Sequence, residues 1–321
     1  MPSSAVDTFA DPDDFAASIR ATRYELTITG RGAFSAERTR IDLHRLWLQR
    51  FTSNLPFVGH SATMRGRAIL TFRTAPGPEM LVDGVALPQD GIVRLGEAQQ
   101  TFQRVAGAIA WGAMSLPVAE IAALGPALAG RDPGPAAHAT VARAPPAALA
   151  RLQRLHAAAG GLAHSAPEVI ANPDAARGLE EELIQAMMGC LSGPDAGEDR
   201  PARHRHAAIM RRFHEAVEAG GDSAMYLSEL CCAVGVADRT LRSCCQEHLG
   251  MSPLRYLWLR RMQLARRALM RAPPGGATVT GIATAHGFWE LGRFAVAYRK
   301  LYGESPSATL ARNARAPAES A

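Results

Sequence analysis

The chain has 321 residues, enough for one to three domains with cores of their own. Apolar residues make up 47% and charged residues 20%, which fits a folded protein and excludes a disordered or low-complexity one. The formal net charge is +5, but it is unevenly placed: residues 201–321 hold 17 Lys+Arg against 9 Asp+Glu, and the first 200 hold 18 against 21. A basic last third is the footprint of a nucleic-acid module joined to another domain.

No uncharged apolar run is long enough to span a membrane, so no membrane partner is expected. Residues 1–15 carry Asp7, Asp11, Asp13 and Asp14 and no basic residue. That is the wrong charge for a secretory signal, and the expected location is cytoplasmic. The cysteines are Cys190, Cys231, Cys232, Cys244 and Cys245, an odd number with no Cys-x-x-Cys, which excludes a secreted disulfide scaffold.

In chain order, residues 1–22 are expected to be frayed. Residues 23–191 are expected to form a sensing or dimerisation domain. Apolar and polar residues alternate at Tyr24-Leu26-Ile28, Ile41-Leu43, Leu46-Leu48 and Ala68-Leu70-Phe72. Gly30-Arg31-Gly32, Asp83-Gly84 and Asp90-Gly91 mark turns between them. Short alternating strands of this kind predict a small antiparallel β sandwich or barrel. Helical periodicity takes over after about residue 117. One amphipathic helix is predicted over 147–159, with Leu149, Leu152 and Leu155 on a face. A second is predicted over 173–191, with Leu179, Leu183, Ile184, Met187, Met188 and Leu191. Such stripes pack either on the β domain or on a second subunit. Residues 192–206 read as a linker, with Gly193-Pro194, Gly197 and Pro201 and no apolar residue larger than Ala.

Residues 207–312 contain one pattern twice. Leu227 to Arg242 closes with Leu-Gly-Met-Ser-Pro at 249–253; Val279 to Phe294 closes with Tyr-Gly-Glu-Ser-Pro at 302–306. Leu230 matches Ile282, Gly235 matches Gly287, and Val236 matches Phe288. After one inserted residue, Leu241 matches Phe294 and Gly250 matches Gly303. Each copy predicts a helix–turn–helix, over 227–250 and 279–303, with Gly235 and Gly287 as turn glycines and a bridging helix over 253–270. The first recognition helix is predicted over 237–249 and the second over 289–302. Residues 313–321 are expected to be a disordered tail.

Recognition needs side chains that reach base edges. Arg can donate two bonds to a guanine edge, a hydroxyl or amide can bond a base or a phosphate, and an apolar group can touch a thymine methyl. The base-contacting candidates are Arg239, Arg242, Ser243, Gln246, Leu291, Arg293 and Val296. The phosphate-contacting candidates are Thr240, Arg255, Arg299 and Lys300.

These residues resemble the AraC/XylS family of transcription regulators. The likeness covers about residues 210–310 and rests on Ala-Val-Gly-Val with Thr-Leu, on Gly-Met-Ser-Pro, and on Tyr-Arg-Lys-Leu-Tyr-Gly-Glu-Ser-Pro at 298–306. Within the family it looks closest to regulators of the ethanolamine-utilisation type. The resemblance implies an α+β multidomain chain: a cupin-like β domain with C-terminal helices, then seven helices carrying two helix–turn–helix units. It implies double-stranded DNA and RNA polymerase as partners, a small-molecule effector of unknown identity, a homodimer, and a regulator rather than an enzyme.

Two rivals compete with that reading. A thiol- or metal-responsive regulator would sense through Cys231, Cys232, Cys244 and Cys245, although Cys packing as a small hydrophobe fits their spacing better. A cupin-type metal enzyme would need clustered His and carboxylate ligands, and the β region has only His44 and His60, with no His-x-His. The His204-Arg205-His206 run falls in the expected linker and is set aside as a metal site. No cofactor and no metal are expected.

Overall fold

A computed structural model describes residues 1–128, 139–192, 201–221, 225–273 and 275–315. The chain falls into two compact units: residues 1–26 with 34–201, and residues 27–33 with 202–321. The short segment 27–33 therefore groups with the second unit, although the sequence places it inside the first domain.

In chain order the first unit begins with β1 (Ser3–Phe9), α1 (Pro12–Ser18), β2 (Thr22–Ile28), β3 (Ala36–Asp42), β4 (Trp47–Ser53), β5 (Phe57–Thr63) and β6 (Arg67–Arg73). It continues with β7 (Met80–Val82), β8 (Val85–Ala86), β9 (Gly91–Leu95), β10 (Gln100–Val105), β11 (Ile109–Pro117), α2 (Val118–Leu128) and β12 (Thr140–Arg143). Three helices follow: α3 (Pro146–Ser165), α4 (Pro167–Ala171) and α5 (Pro173–Cys190). One sheet has the order β1-β3-β4-β11-β6-β9-β12 and the other β2-β5-β10-β7-β8. Every neighbouring pair in the first sheet is antiparallel, as are β5–β10, β10–β7 and β7–β8 in the second. The expected α+β organisation holds, with an antiparallel two-sheet sandwich ahead of the helices.

Aromatic rings fill the space between the sheets. Phe51 and Trp111 of the first sheet stack with centroids 5.0 Å apart, and Phe57 of the second lies 6.0 Å from Trp111. Phe15 of α1 meets both Phe51 and Trp111 edge-on. The N-terminal 22 residues are thus ordered, contrary to the sequence expectation. β1 pairs with β3 along its length, the Asp11 carboxylate caps α1, and Phe15 is fully buried. The pairing partner is not a sequence neighbour, since α1 and β2 intervene, so no local pattern reveals it.

The other face of the first sheet is covered by α3 and α5. Ile41, Leu48, Leu70, Met114 and Leu116 pack there with Leu152, Leu183, Ile184, Met187 and Met188 in one buried cluster. The amphipathic stripes are therefore used within the subunit, and they are not free to pair with a second copy. Glu180 of α5 ties the layers together. Its buried carboxylate accepts from the backbone N–H groups of Arg45 (2.6 Å) and Leu46 (2.8 Å) in the β3–β4 turn.

The second unit holds seven helices among the described residues: α6 (Pro201–Ala219), α7 (Leu227–Val234), α8 (Asp238–Leu249), α9 (Pro253–Arg271), α10 (Val279–Ala285), α11 (Leu291–Tyr302) and α12 (Pro306–Arg315). Residues 201–206, expected as linker, are the first turns of α6. α12 runs to Arg315, into the expected tail, and residues 316–321 lie outside the described residues, as do 193–200 of the expected linker.

α9 is the hub. It buries Tyr256 and Leu257 toward its start, and Leu259, Met262, Ala265 and Leu269 in a cluster with Ala283, Phe288, Phe294, Tyr298 and Leu301. A helix serving two cores is buried on more than one side. Tyr256, Leu259 and Met262 are accordingly buried together with Leu257, Ala265 and Leu269, whereas Leu254 in the first turn is exposed.

Candidate nucleic-acid interface

The two helix–turn–helix units close in the same way. In the first, Gly235 sits at φ 71° and Val236 N–H donates back to the Cys231 carbonyl at 3.1 Å. In the second, Gly287 sits at φ 75° and Phe288 N–H donates to the Ala283 carbonyl at 2.9 Å. A left-handed residue reverses the chain within a single turn, and glycine adopts it without a Cβ clash. The inward residues Leu230, Val234 and Leu241 of the first unit and Ala283, Phe288 and Phe294 of the second are buried.

The first recognition helix is α8, with Ala237 as its N-cap. Arg239, Arg242, Ser243 and Gln246 are exposed on it, and Thr240 is half-buried. Arg242 is already engaged. Its Nε donates to the Asp238 carboxylate at 2.6 Å, one turn earlier. The second recognition helix, α11, starts at Leu291 and not at Trp289, because Glu290 takes the N-cap position. Leu291, Arg293, Val296, Arg299 and Lys300 are all exposed. Arg293 is held by Glu290 at 2.9 Å, again across one turn.

Each unit thus pairs an exposed arginine with an acidic residue at the start of its recognition helix. The sequence carries the signal, since Asp238 and Glu290 both stand three residues after the turn glycine. Such a pair fixes the guanidinium direction and keeps a carboxylate where a phosphate would be repelled, which favours geometry over bare attraction. Trp289 is a surface residue that sequence reasoning missed. It is 77% exposed, and Leu291 and Val296 of α11 are exposed apolar residues beyond it.

The arginine face of α9 is largely occupied within the protein. Arg260 pairs with Glu218 of α6, Arg261 lies over the Phe288 ring, and Arg266 lies over the Tyr302 ring. Arg255 is exposed, with its guanidinium over the Trp258 ring at 4.3 Å.

The cysteines are all free thiols. Burial pushes Cys244 up to about 11 and Cys245 up to about 12, so neither is a thiolate at neutral pH. Both pack as small apolar groups against the inward face of α8. Cys232 is exposed and Cys231 half-buried, with burial raising the Cys231 thiol. His44 lies exposed near the Pro173 carbonyl, and His60 is buried beside the Phe102 ring.

Residues 230–312 match the family model of a helix–turn–helix domain. Among solved structures, a probable AraC family transcriptional regulator from Rhodopseudomonas palustris is 32% identical, covering 33% of this chain and 96% of that one, with a TM-score of 0.29. The chain belongs to the AraC family. Its curated relatives include the probable thc operon regulatory protein of Rhodococcus erythropolis, 32% identical over 47% of this chain and 46% of the relative. They also include XylDLEGF operon transcriptional activator 2 of Pseudomonas putida, 30% identical over 31% of this chain and 63% of the relative. The chain therefore spans about half to two thirds of the length of these two relatives. No described helix of this AraC-family chain is long and apolar enough to cross a membrane.

Proposed function

We propose that the protein is a DNA-binding transcription regulator whose helices α8 and α11 enter successive major-groove segments on one face of a duplex. The observation that carries this is the pair of like-built helix–turn–helix units flanking α9, each with an exposed arginine oriented by a carboxylate. Arg239, Arg242, Ser243 and Gln246 are the base-reading set of the first unit; Leu291, Arg293 and Val296 are that of the second. Thr240, Arg255, Arg299 and Lys300 contact backbone phosphates. Two relatives are named as an operon regulatory protein and an operon transcriptional activator, which supports a regulatory output; RNA polymerase as a partner rests on the family resemblance.

Response to a small-molecule effector is the second part of the proposal. The first unit has a polar cleft of about 190 Å³ lined by Glu37, Thr39, Arg50, Gly160 and His164, sized for a small molecule only. The thiol-sensing alternative has less support, because Cys244 and Cys245 are buried and neutral. Homodimerisation keeps its place by resemblance but loses the support of the α3 and α5 stripes, which are buried in the subunit.

The test is selection of bound fragments from a random duplex library by the full chain, followed by footprinting of the recovered site. Two protected major-groove segments about one helical turn apart per protein are expected. Recovery of no consensus sequence, or protection of a single segment, overturns the reading.

A further inference from the structure

Three potential metal ligands from distant parts of the sequence meet at one place in the second unit. His206 lies near the start of α6, and Glu247 and His248 lie in the last turn of α8. Their ligand atoms all fall within 4.8 Å of one another. His206 Nδ1 is 2.7 Å from the Glu247 Oε2.

His248 supplies an independent sign. It is 1% exposed, and neither ring nitrogen has a hydrogen-bond partner among the described residues. Buried polar atoms in folded proteins are almost always satisfied, and an imidazole orphaned at both nitrogens calls for a partner that the protein itself does not provide.

We propose that His206, Glu247 and His248 form a divalent-cation site of the zinc class that fastens α6 to the C-terminal end of the first recognition helix. Two imidazole nitrogens and one carboxylate oxygen are the donor set of borderline cations such as Zn²⁺ or Co²⁺, and water completes the shell. Ligand atoms on a tetrahedral ion with bonds near 2.0–2.1 Å stand about 3.3 Å apart, so closure needs a shift of about an ångström or so in flexible side chains. His206 and Glu247 are both partly exposed and can move; His248 is the fixed, buried member. The site lies in the last turn of α8, past Arg239 and Arg242, so a bound ion would brace the C-terminal end of the recognition helix. None of the cysteines is needed for it.

The test uses the full chain, stripped with a chelator and then titrated with Co²⁺ while the visible d–d absorption is followed. One equivalent per chain is expected to bind and to be displaced by Zn²⁺. His206→Ala and Glu247→Gln, both at partly exposed positions, should each weaken binding at least tenfold while the far-UV circular dichroism stays unchanged. Absence of a one-equivalent Co²⁺ signal in the wild-type chain overturns the proposal. So does binding that is equally tight in both variants, which would put the ion elsewhere. The readout involves no DNA, so this inference and the regulatory reading fail separately.

Discussion

Arg239 and Arg242 sit three residues apart on α8, yet they stand in different states. Arg242 is clamped by Asp238, whereas Arg239 is exposed with no ion pair among the described residues. Arg239→Ala is expected to weaken specific binding by about 1–3 kcal/mol and nonspecific binding much less, read by fluorescence anisotropy on specific and scrambled duplexes. Equal losses on both would make Arg239 a phosphate contact. Asp238→Ala should act the other way. It removes a carboxylate and frees the Arg242 guanidinium, so nonspecific affinity should rise while the specificity ratio falls in the same assay. The exposure of Arg239, Arg242, Ser243 and Gln246 on α8 was legible because a helix face is a local property, set by spacing alone. The arginine–carboxylate pairs were local too, but a search for basic residues passes over the acids beside them.

At the scale of elements, the contacts that fix the first unit join parts far apart in sequence. The Glu180 carboxylate serves two backbone N–H groups of the β3–β4 turn and also lies 3.4 Å from Arg45 Nε. Glu180→Ala should orphan both N–H groups and destabilise the chain by about 3 kcal/mol, seen as a lower denaturation midpoint. A loss below about 1 kcal/mol would mean that water replaces the carboxylate. α3 and the first sheet meet at His156. This ring is fully buried; its Nδ1 lies 3.0 Å from the Arg50 guanidinium and its Nε2 3.2 Å from the Gln49 carbonyl. Arg can only donate, so Nδ1 accepts and Nε2 carries the proton. Gly112 makes room for it, since a Cβ there would come within 2.6 Å of the ring.

For the whole molecule, burial of His156, with the Arg50 charge beside it, holds its pKa down to about 3. The unfolded chain therefore takes up a proton as the pH drops below about 6.5, and the folded chain does not until near 3. Stability contributed by this residue is full above about pH 6.5 and falls by about 1.4 kcal/mol per unit below it, or about 2 kcal/mol by about pH 5. Denaturation curves at about pH 7 and about pH 5 should show that loss, and a His156→Gln variant should lack it; an equal loss in the variant would assign it to other groups. The same whole-chain view governs DNA binding. Arg299→Ala and Lys300→Ala should each reduce the slope of log affinity against log salt by about one, if each meets a phosphate.

What the sequence determined by itself was the repeat and its consequences: two turn glycines, two helix pairs, a bridging helix, and a basic surface confined to the last third. All of these follow from short-range rules, the helical period and the backbone freedom of glycine, which hold wherever the segment lies. Only the tertiary structure decided the rest. It ordered the N-terminus by pairing β1 with β3, turned the α3 and α5 stripes inward, and moved His206 from a supposed linker to a place beside Glu247 and His248. Those outcomes depend on which surfaces meet after the chain has folded back on itself. Residues as far apart as His206 and Glu247, or Arg45 and Glu180, carry no mark in the sequence of the partner each will find.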